Sequence, residues 1–236
     1  MKKVVGVFNF KGGVGKTFIA SHLLFYLNKE TDYKIYGLDT DIQADLMKWC
    51  SNGKWKEKEM ADYKVNERFK LIWLMHPFVL SGGYPLPKDG IIIIDGRPDL
   101  ECLAELLEVI DILLVPLKGR LSLDSALAMK KVISQMKNKK SNVKIYGVRN
   151  EILPMRVLAS RGELLLFNVL DMNFIKFGIT HTSLVRQAEE QYCPIWDLPN
   201  YRKGLTCHFV IQQLVDLILG KIKDKEIVLT YSEVAG

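Results

Sequence analysis

Lys11-Gly12-Gly13-Val14-Gly15-Lys16-Thr17 gathers lysines, glycines and a threonine in one short run. That mixture suits a chain of phosphates. Glycines let backbone N–H groups curl around an anion, an ammonium neutralises it, and a hydroxyl can hold its counter-cation. Val4–Phe8 ahead of the run reads as a strand and Thr17–Asn28 behind it as a helix. The helix N-terminus then adds a favourable dipole. Lys16 is expected on the β- and γ-phosphates and the Thr17 hydroxyl on Mg²⁺. The ordinary loop has Gly where this chain has Phe10, so the match is to a variant form, which carries the additional Lys11. A Gly-rich turn without a ligand is the competing reading, and this strand–helix context argues against it.

Two further runs end in carboxylates. Ile91–Ile94 is apolar and closes on Asp95. A carboxylate at a strand's C-terminal end is placed to hold Mg²⁺ through a water, at the edge where open α/β sheets bind ligands. Tyr36-Gly37-Leu38-Asp39-Thr40-Asp41 closes on a pair. Their i,i+2 spacing points both the same way on an extended chain. One could orient water for attack on a γ-phosphate; the competing role is capping the helix that starts at Ala44. Asp39 suits the cap and Asp41 the catalytic role.

These residues need a scaffold of alternating elements. Strands are expected at Val4–Phe8, Ile35–Leu38, Leu71–Leu74, Ile91–Ile94, Ile112–Val115 and Val143–Val148. Several are continuously apolar, as strands covered on both faces are. Helices are expected at Thr17–Asn28, Ala44–Cys50, Leu100–Val109, Leu121–Lys137, Ser183–Gln191 and Leu205–Lys221. The alternation predicts an α/β fold, a doubly wound and mostly parallel sheet flanked by helices. Residues 1–236 are expected to form a single domain. Ser51–Arg68 reads as a polar surface insertion with a short helix, Ser81–Lys88 as a loop, and Glu226–Gly236 has no evident place in the sheet.

Composition narrows the setting. The net charge of +6 favours an anionic partner or is only a solubility feature. Cys50, Cys102, Cys193 and Cys207 show no paired spacing, so reduced thiols and a cytoplasmic location are expected. No apolar stretch approaches the ~18 residues of a membrane span.

Lys11-Gly-Gly-Val-Gly-Lys16-Thr17, Asp39-Thr-Asp41-Ile-Gln43 and Ile-Ile-Asp95-Gly-Arg-Pro98 occur in that order. Together they resemble the deviant-Walker P-loop ATPases of the ParA/MinD family, over nearly the whole chain. Asp111-Ile-Leu-Leu-Val-Pro116 resembles that family's next strand. Val143–Asn150 resembles the strand whose terminal Asn reads adenine, a task an amide suits because it donates and accepts; a strand-end Asn in a turn is the alternative. The resemblance implies ATP and Mg²⁺ as cofactors and an ATP-dependent homodimer with Lys11 reaching the partner's nucleotide. It also implies slow hydrolysis by Asp41 and Lys16, stimulated by a small DNA-binding adaptor protein. Gly12, Gly13, Val14, Gly15, Lys16, Thr17, Phe18 and Asn150 would contact the nucleotide, and Thr17 and Asp95 the metal. Three departures stand out: Phe18 for a second Thr, Ile42 for a Pro, and Gly96-Arg97 for Thr-Pro. Arg97 could pair with Asp99 or report nucleotide state to a partner.

Within that family the ParA-type partition proteins bind DNA nonspecifically. Arg186, Arg202, Lys203, Lys221 and Lys223 are the candidate phosphate contacts here, each equally able to be an ordinary solvated charge. The implied role is DNA partition or cargo positioning at the nucleoid. A MinD-like membrane role would need a basic amphipathic C-terminal helix. The tail after His208–Lys223 lacks a basic face, and Phe209, Leu214, Leu217 and Ile218 read as core. An ATP-dependent small-molecule synthetase, or a binder that does not hydrolyse ATP, are the other classes. Cys102 reads as a buried helix residue rather than a cluster ligand.

Overall fold

The computed structural model describes residues 1–56, 62–74, 85–118, 121–136, 143–152, 173–199, 201 and 205–228. In chain order these give β1 (Lys2–Val7), α1 (Lys16–Glu30), β2 (Ile35–Asp39), α2 (Asp45–Cys50), β3 (Asp62–Lys64) and β4 (Phe69–Trp73). Then come β5 (Gly90–Asp95), α3 (Leu100–Val109), β6 (Ile112–Leu117), α4 (Leu121–Met136), β7 (Lys144–Arg149) and β8 (Asn173–Phe174). Helices α5 (Ser183–Gln191), α6 (Leu205–Ile218) and α7 (Asp224–Ile227) follow, with a 3₁₀ turn at Ile195–Asp197.

The sheet order is β3-β4-β2-β5-β1-β6-β7-β8. Every pairing is parallel except β3 with β4. This is the expected doubly wound sheet, with β1 central and the ends of β1, β2 and β5 side by side. Val7 and Asp39 both register with Asp95, so the loop after β1 and both carboxylate runs meet at one edge.

Side chains alternate across this sheet with the period of two that strands impose. Val5, Val7, Ile91, Ile93 and Leu114 face one layer, with Leu23 and Leu24 of α1 and Val210 and Leu214 of α6. Val4, Ile92, Ile94, Leu113 and Val115 face the other, with Leu103 and Leu106 of α3 and Met129 of α4. Gly37 lies where α1 presses on β2. A Cβ there would stand 2.7 Å from Leu24 and 2.8 Å from Leu71.

Some expectations are corrected. Among the described residues of 51–68 a strand, β3, forms at Asp62–Lys64, and Trp55 is buried edge-on to Trp73 at 5.2 Å. An aromatic anchor therefore ties down a segment whose charge had suggested only surface. The last long helix stops at Ile218, short of Lys221 and Lys223. Gly220 adopts φ 71°, and the Lys221 N–H closes onto the Asp216 carbonyl at 2.8 Å, the left-handed ending that glycine favours. Part of the supposed tail is core: Ile227 and Val228 are buried, and the Lys176 N–H donates to the Ile227 carbonyl. Lys137, the expected end of the fourth helix, and residues 81–84 of the expected loop lie outside the described residues.

One buried polar group pins α1. The His22 ring is fully buried; Nε2 accepts the Ile195 N–H at 3.1 Å. Nδ1 must then carry the proton and donate to the Phe18 carbonyl at 2.8 Å. Burial pushes His22 down to about 3. An unfolded histidine titrates near ~6.5, so this stabilisation is complete above that pH and is lost as pH falls towards 3. The slope is at most ~1.4 kcal/mol per pH unit. Denaturant unfolding from pH 7 to 4.5 should show the parent losing stability relative to His22→Phe as pH falls. An identical slope in the variant would contradict the assignment.

Candidate active site

The first turn of α1 is open to an anion. Gly15 precedes it at φ 94° and Gly13 adopts φ 69°, both left-handed. No side chain caps α1, and its first turn carries no acidic residue. Asp99 and Thr182, in contrast, cap α3 and α5 through the Cys102 and Leu184 N–H groups. The uncapped N–H groups of α1 are what an incoming phosphate would take.

Asn9 shapes the entry to this loop. It is fully buried, and Nδ2 donates to the Pro116 carbonyl at 2.8 Å. Its Oδ1 accepts the Lys11 N–H at 2.9 Å and the Ser125 hydroxyl at 2.6 Å. Asn9 is not among the residues singled out from the sequence. Its signal is an Asn two residues before the amide it turns, the local pattern of an Asx turn.

Lys16 folds across the loop, and Nζ donates to the Lys11 carbonyl at 3.2 Å. Burial pushes Lys16 down, while Asp95 and Asp41 pull it up. An ammonium held in place but with its charge opposed by desolvation is ready for an anionic ligand. Lys11 is half-buried and does not line the cavity that holds Lys16.

Asp95 is the buried centre of the site. Its Oδ2 accepts the Thr17 hydroxyl at 2.6 Å, and Oδ1 is buried with no hydrogen-bond partner. Burial raises Asp95 to about 7, with Thr17 and Lys16 pulling it back. A hydroxyl and a carboxylate this close, with one oxygen orphaned, fit a hard cation that takes a few oxygen ligands and leaves the rest to water and phosphate.

The two aspartates at the end of β2 sit in different surroundings. Asp39 is fully buried, and Oδ2 accepts the Leu46 and Met47 N–H groups at 2.9 and 3.2 Å. It caps α2 from a distance, and burial beside Asp95 raises it. Asp41 is half-buried on the cavity wall with Lys16 and Thr17. Its backbone carbonyl is held by Trp73 Nε1 at 2.9 Å, and its Oδ1 accepts the Gln43 N–H at 3.0 Å. Thr40 between them was not singled out. Its hydroxyl donates to the Asp95 carbonyl at 2.8 Å and accepts the Arg97 N–H at 2.9 Å. Thr40 thus clasps the segment after Asp95 to the Asp39–Asp41 turn. Arg97 pairs with Asp99, the α3 cap.

Phe18 and Asn150, two of the expected nucleotide contacts, both line the cavity that holds Lys16 and Thr17, and their side chains also have partners of their own. The Phe18 side chain is buried, stacked on His22 at 4.0 Å and edge-on to Trp49 at 6.0 Å. The position that carried a departure from the resembled motif serves the core. Asn150 is buried in the cavity lining, where Nδ2 donates to the Val14 carbonyl at 2.9 Å. A Cβ at Gly15 would lie 2.0 Å from that nitrogen, so Asn150 takes this place only beside a glycine. The cavity of about 670 Å³ runs from Gly12–Thr17 past Asp95 and Asp41 to Lys48, Trp49, Glu189 and Tyr192.

The candidate DNA contacts among the described residues lie on two parts of the chain. Arg186 lies on α5 and pairs with Glu190 at 2.9 Å. Lys221 and Lys223 follow α6, with Lys221 Nζ 3.7 Å from Asp216. Arg202 and Lys203 lie outside the described residues. Leu214, Leu217 and Ile218 are core as expected, whereas Phe209 is exposed and rests edge-on against Phe177 at 5.2 Å. Among the described residues no helix is long and apolar enough to cross a membrane.

Residues 5–169 match the model of the CobQ/CobB/MinD/ParA nucleotide binding domain. Among solved structures, Cyanothece McdA in its apo form superposes with a TM-score of 0.74 at 18% identity, covering 93% of this chain and 100% of that one. A putative plasmid partition protein from Borrelia burgdorferi B31, bound to AMPPNP, gives 0.61 at 18% identity over 90% and 99%. Cobyrinic acid a,c-diamide synthase from Mycobacterium smegmatis, with bound ADP and magnesium, gives 0.64 at 19% identity over 81% and 91%. At these identities the likeness is one of fold. No curated protein matches the chain in sequence.

Proposed function

We propose that this chain, a member of the CobQ/CobB/MinD/ParA nucleotide-binding family, is an ATPase that dimerises on ATP, binds DNA nonspecifically and serves DNA partition or cargo positioning. The observation that carries the reading is the Thr17–Asp95 contact of 2.6 Å beside Lys16, with Asp41 on the same wall. Phosphates would lie on the N–H groups of Gly12–Thr17 and on Lys16. Thr17 and Asp95 would hold Mg²⁺, which would supply positive charge against the charge developing on the phosphates. Asp41 would orient the attacking water.

Lys11 is the residue that asks for a second subunit. It is half-buried and outside the cavity lining, and would add charge to the partner's transition state in the manner of an arginine finger. Lys11→Ala should bind ATP like the parent chain yet neither dimerise nor hydrolyse. Normal dimers with normal turnover would remove Lys11 from the mechanism.

A second reading has one specific observation in its favour. Beyond the phosphate end the cavity is lined by Gln43, Asp45, Lys48 and Glu189, polar enough for a small co-substrate of a synthetase. ATP hydrolysis measured with and without duplex DNA, at two salt concentrations, separates the two. Stimulation by DNA that weakens with salt supports partition. Hydrolysis indifferent to DNA at both salts contradicts it.

A further inference from the structure

The N-terminal edge of the sheet, opposite the phosphate loop, carries a second concavity. It is about 440 Å³ and is lined by the first residues of β1, β6 and β7 and by the segment after α6. Its floor is apolar, with Ile112, Leu217 and Ile218. Its rim is basic: Lys2, Lys3, Lys144 and Lys223, with the chain's N-terminal Met1 beside them. Asp224 is the acidic residue of this lining, and its carboxylate is engaged by Lys144 Nζ at 3.0 Å. Lys221 stands next along the chain, 60% exposed, with Asp216 at 3.7 Å. Lys2, Lys144 and Lys223 are also exposed.

We infer that this lysine-rimmed groove is where the chain meets the phosphate backbone of duplex DNA, an assignment that rests on the DNA-binding reading above. Charge decides for it over Arg186. Arg186 is matched by Glu190 and shares α5 with Glu189. The groove sets four lysines against one carboxylate that is already paired. Flexible ammonium groups on an exposed rim suit contacts that position a backbone without reading bases. Lys223, named from sequence alone, belongs to this patch, and Lys2 and Lys3 join it because β1 starts beside β6 and near β7. The groove is also remote in the fold from Lys16, Asp41 and Asp95, so its charges can be altered without touching hydrolysis.

The test is duplex binding by Lys2→Gln/Lys3→Gln/Lys223→Gln and, separately, Arg186→Gln. A fluorescent 30-base-pair duplex is titrated with each full-length protein in ATP and Mg²⁺ across a salt series. Each lost phosphate contact lowers the slope of log K against log salt by about 0.9. The triple variant should therefore lose roughly 2–3 from the slope, with DNA-independent ATP hydrolysis unchanged, while Arg186→Gln keeps the parent slope. A triple variant with the parent's slope and affinity overturns the groove and leaves the DNA reading standing. A parent chain that binds no duplex overturns both. Loss in the triple variant of binding to anionic phospholipid vesicles, with duplex binding intact, would give the groove to a membrane instead.

Discussion

Lys16→Ala should lose ATP. The Lys16 ammonium is the cation that the cavity presents beside Thr17, Asp95 and Asp41. It is partly desolvated before any ligand arrives, so a phosphate gains more from it than from a lysine in water. Truncating one member of such a pairing costs roughly 2–5 kcal/mol, or between about 30-fold and several thousand-fold in Kd. The loop itself should survive, because its shape rests elsewhere. Asn9 holds the Lys11 amide, Asn150 holds the Val14 carbonyl, and Gly13 and Gly15 supply the left-handed turns. Calorimetric titration with ATP and Mg²⁺ checks this, and an unchanged Kd would refute the placement of Lys16.

Asp41→Ala should separate binding from hydrolysis. Among the described residues its side chain accepts a single hydrogen bond, from the Gln43 N–H. The bonds that fix the turn use the Asp41 backbone, whose carbonyl is held by Trp73 and by the Ala44 N–H. Alanine therefore removes the carboxylate and keeps the wall. A positioned general base contributes typically ~10²–10⁴ in rate, so turnover should drop by about that factor. ATP affinity should be retained, since a negative charge near the γ-phosphate has gone. Wild-type turnover in single-cycle hydrolysis would remove Asp41 from the chemistry.

Much of this was legible in the residues themselves. Apolar runs ending in Asp39, Asp95 and Asn150 gave their strands, and the Gly-rich run after Val7 gave the phosphate loop. What was not legible depends on contacts made far along the chain. Nothing near Trp55 says that it meets Trp73, so 51–68 looked like solvent-facing insertion. Phe18 follows the loop directly, and only the packing of His22 and Trp49 around it turns it inward. Asn150 could have faced a base or the loop; its contact with Gly15 and Val14 is set by how β7 ends against the start of α1. Thr40 was hidden because its partners, the Asp95 carbonyl and the Arg97 amide, are backbone atoms of another strand's end. The scattered basic residues became a patch only when sheet order put Lys2 and Lys3 beside Lys144 and Lys223.

The central claim is that ATP joins two copies of this chain and hydrolysis releases them. Sedimentation equilibrium of Asp41→Ala tests it most directly, because that variant should hold ATP without consuming it. With ATP and Mg²⁺ the mass should be twice the 27.0 kDa of one chain, and with ADP it should return to one chain. A single-chain mass in both nucleotide states, with ATP shown to be bound, would contradict the account.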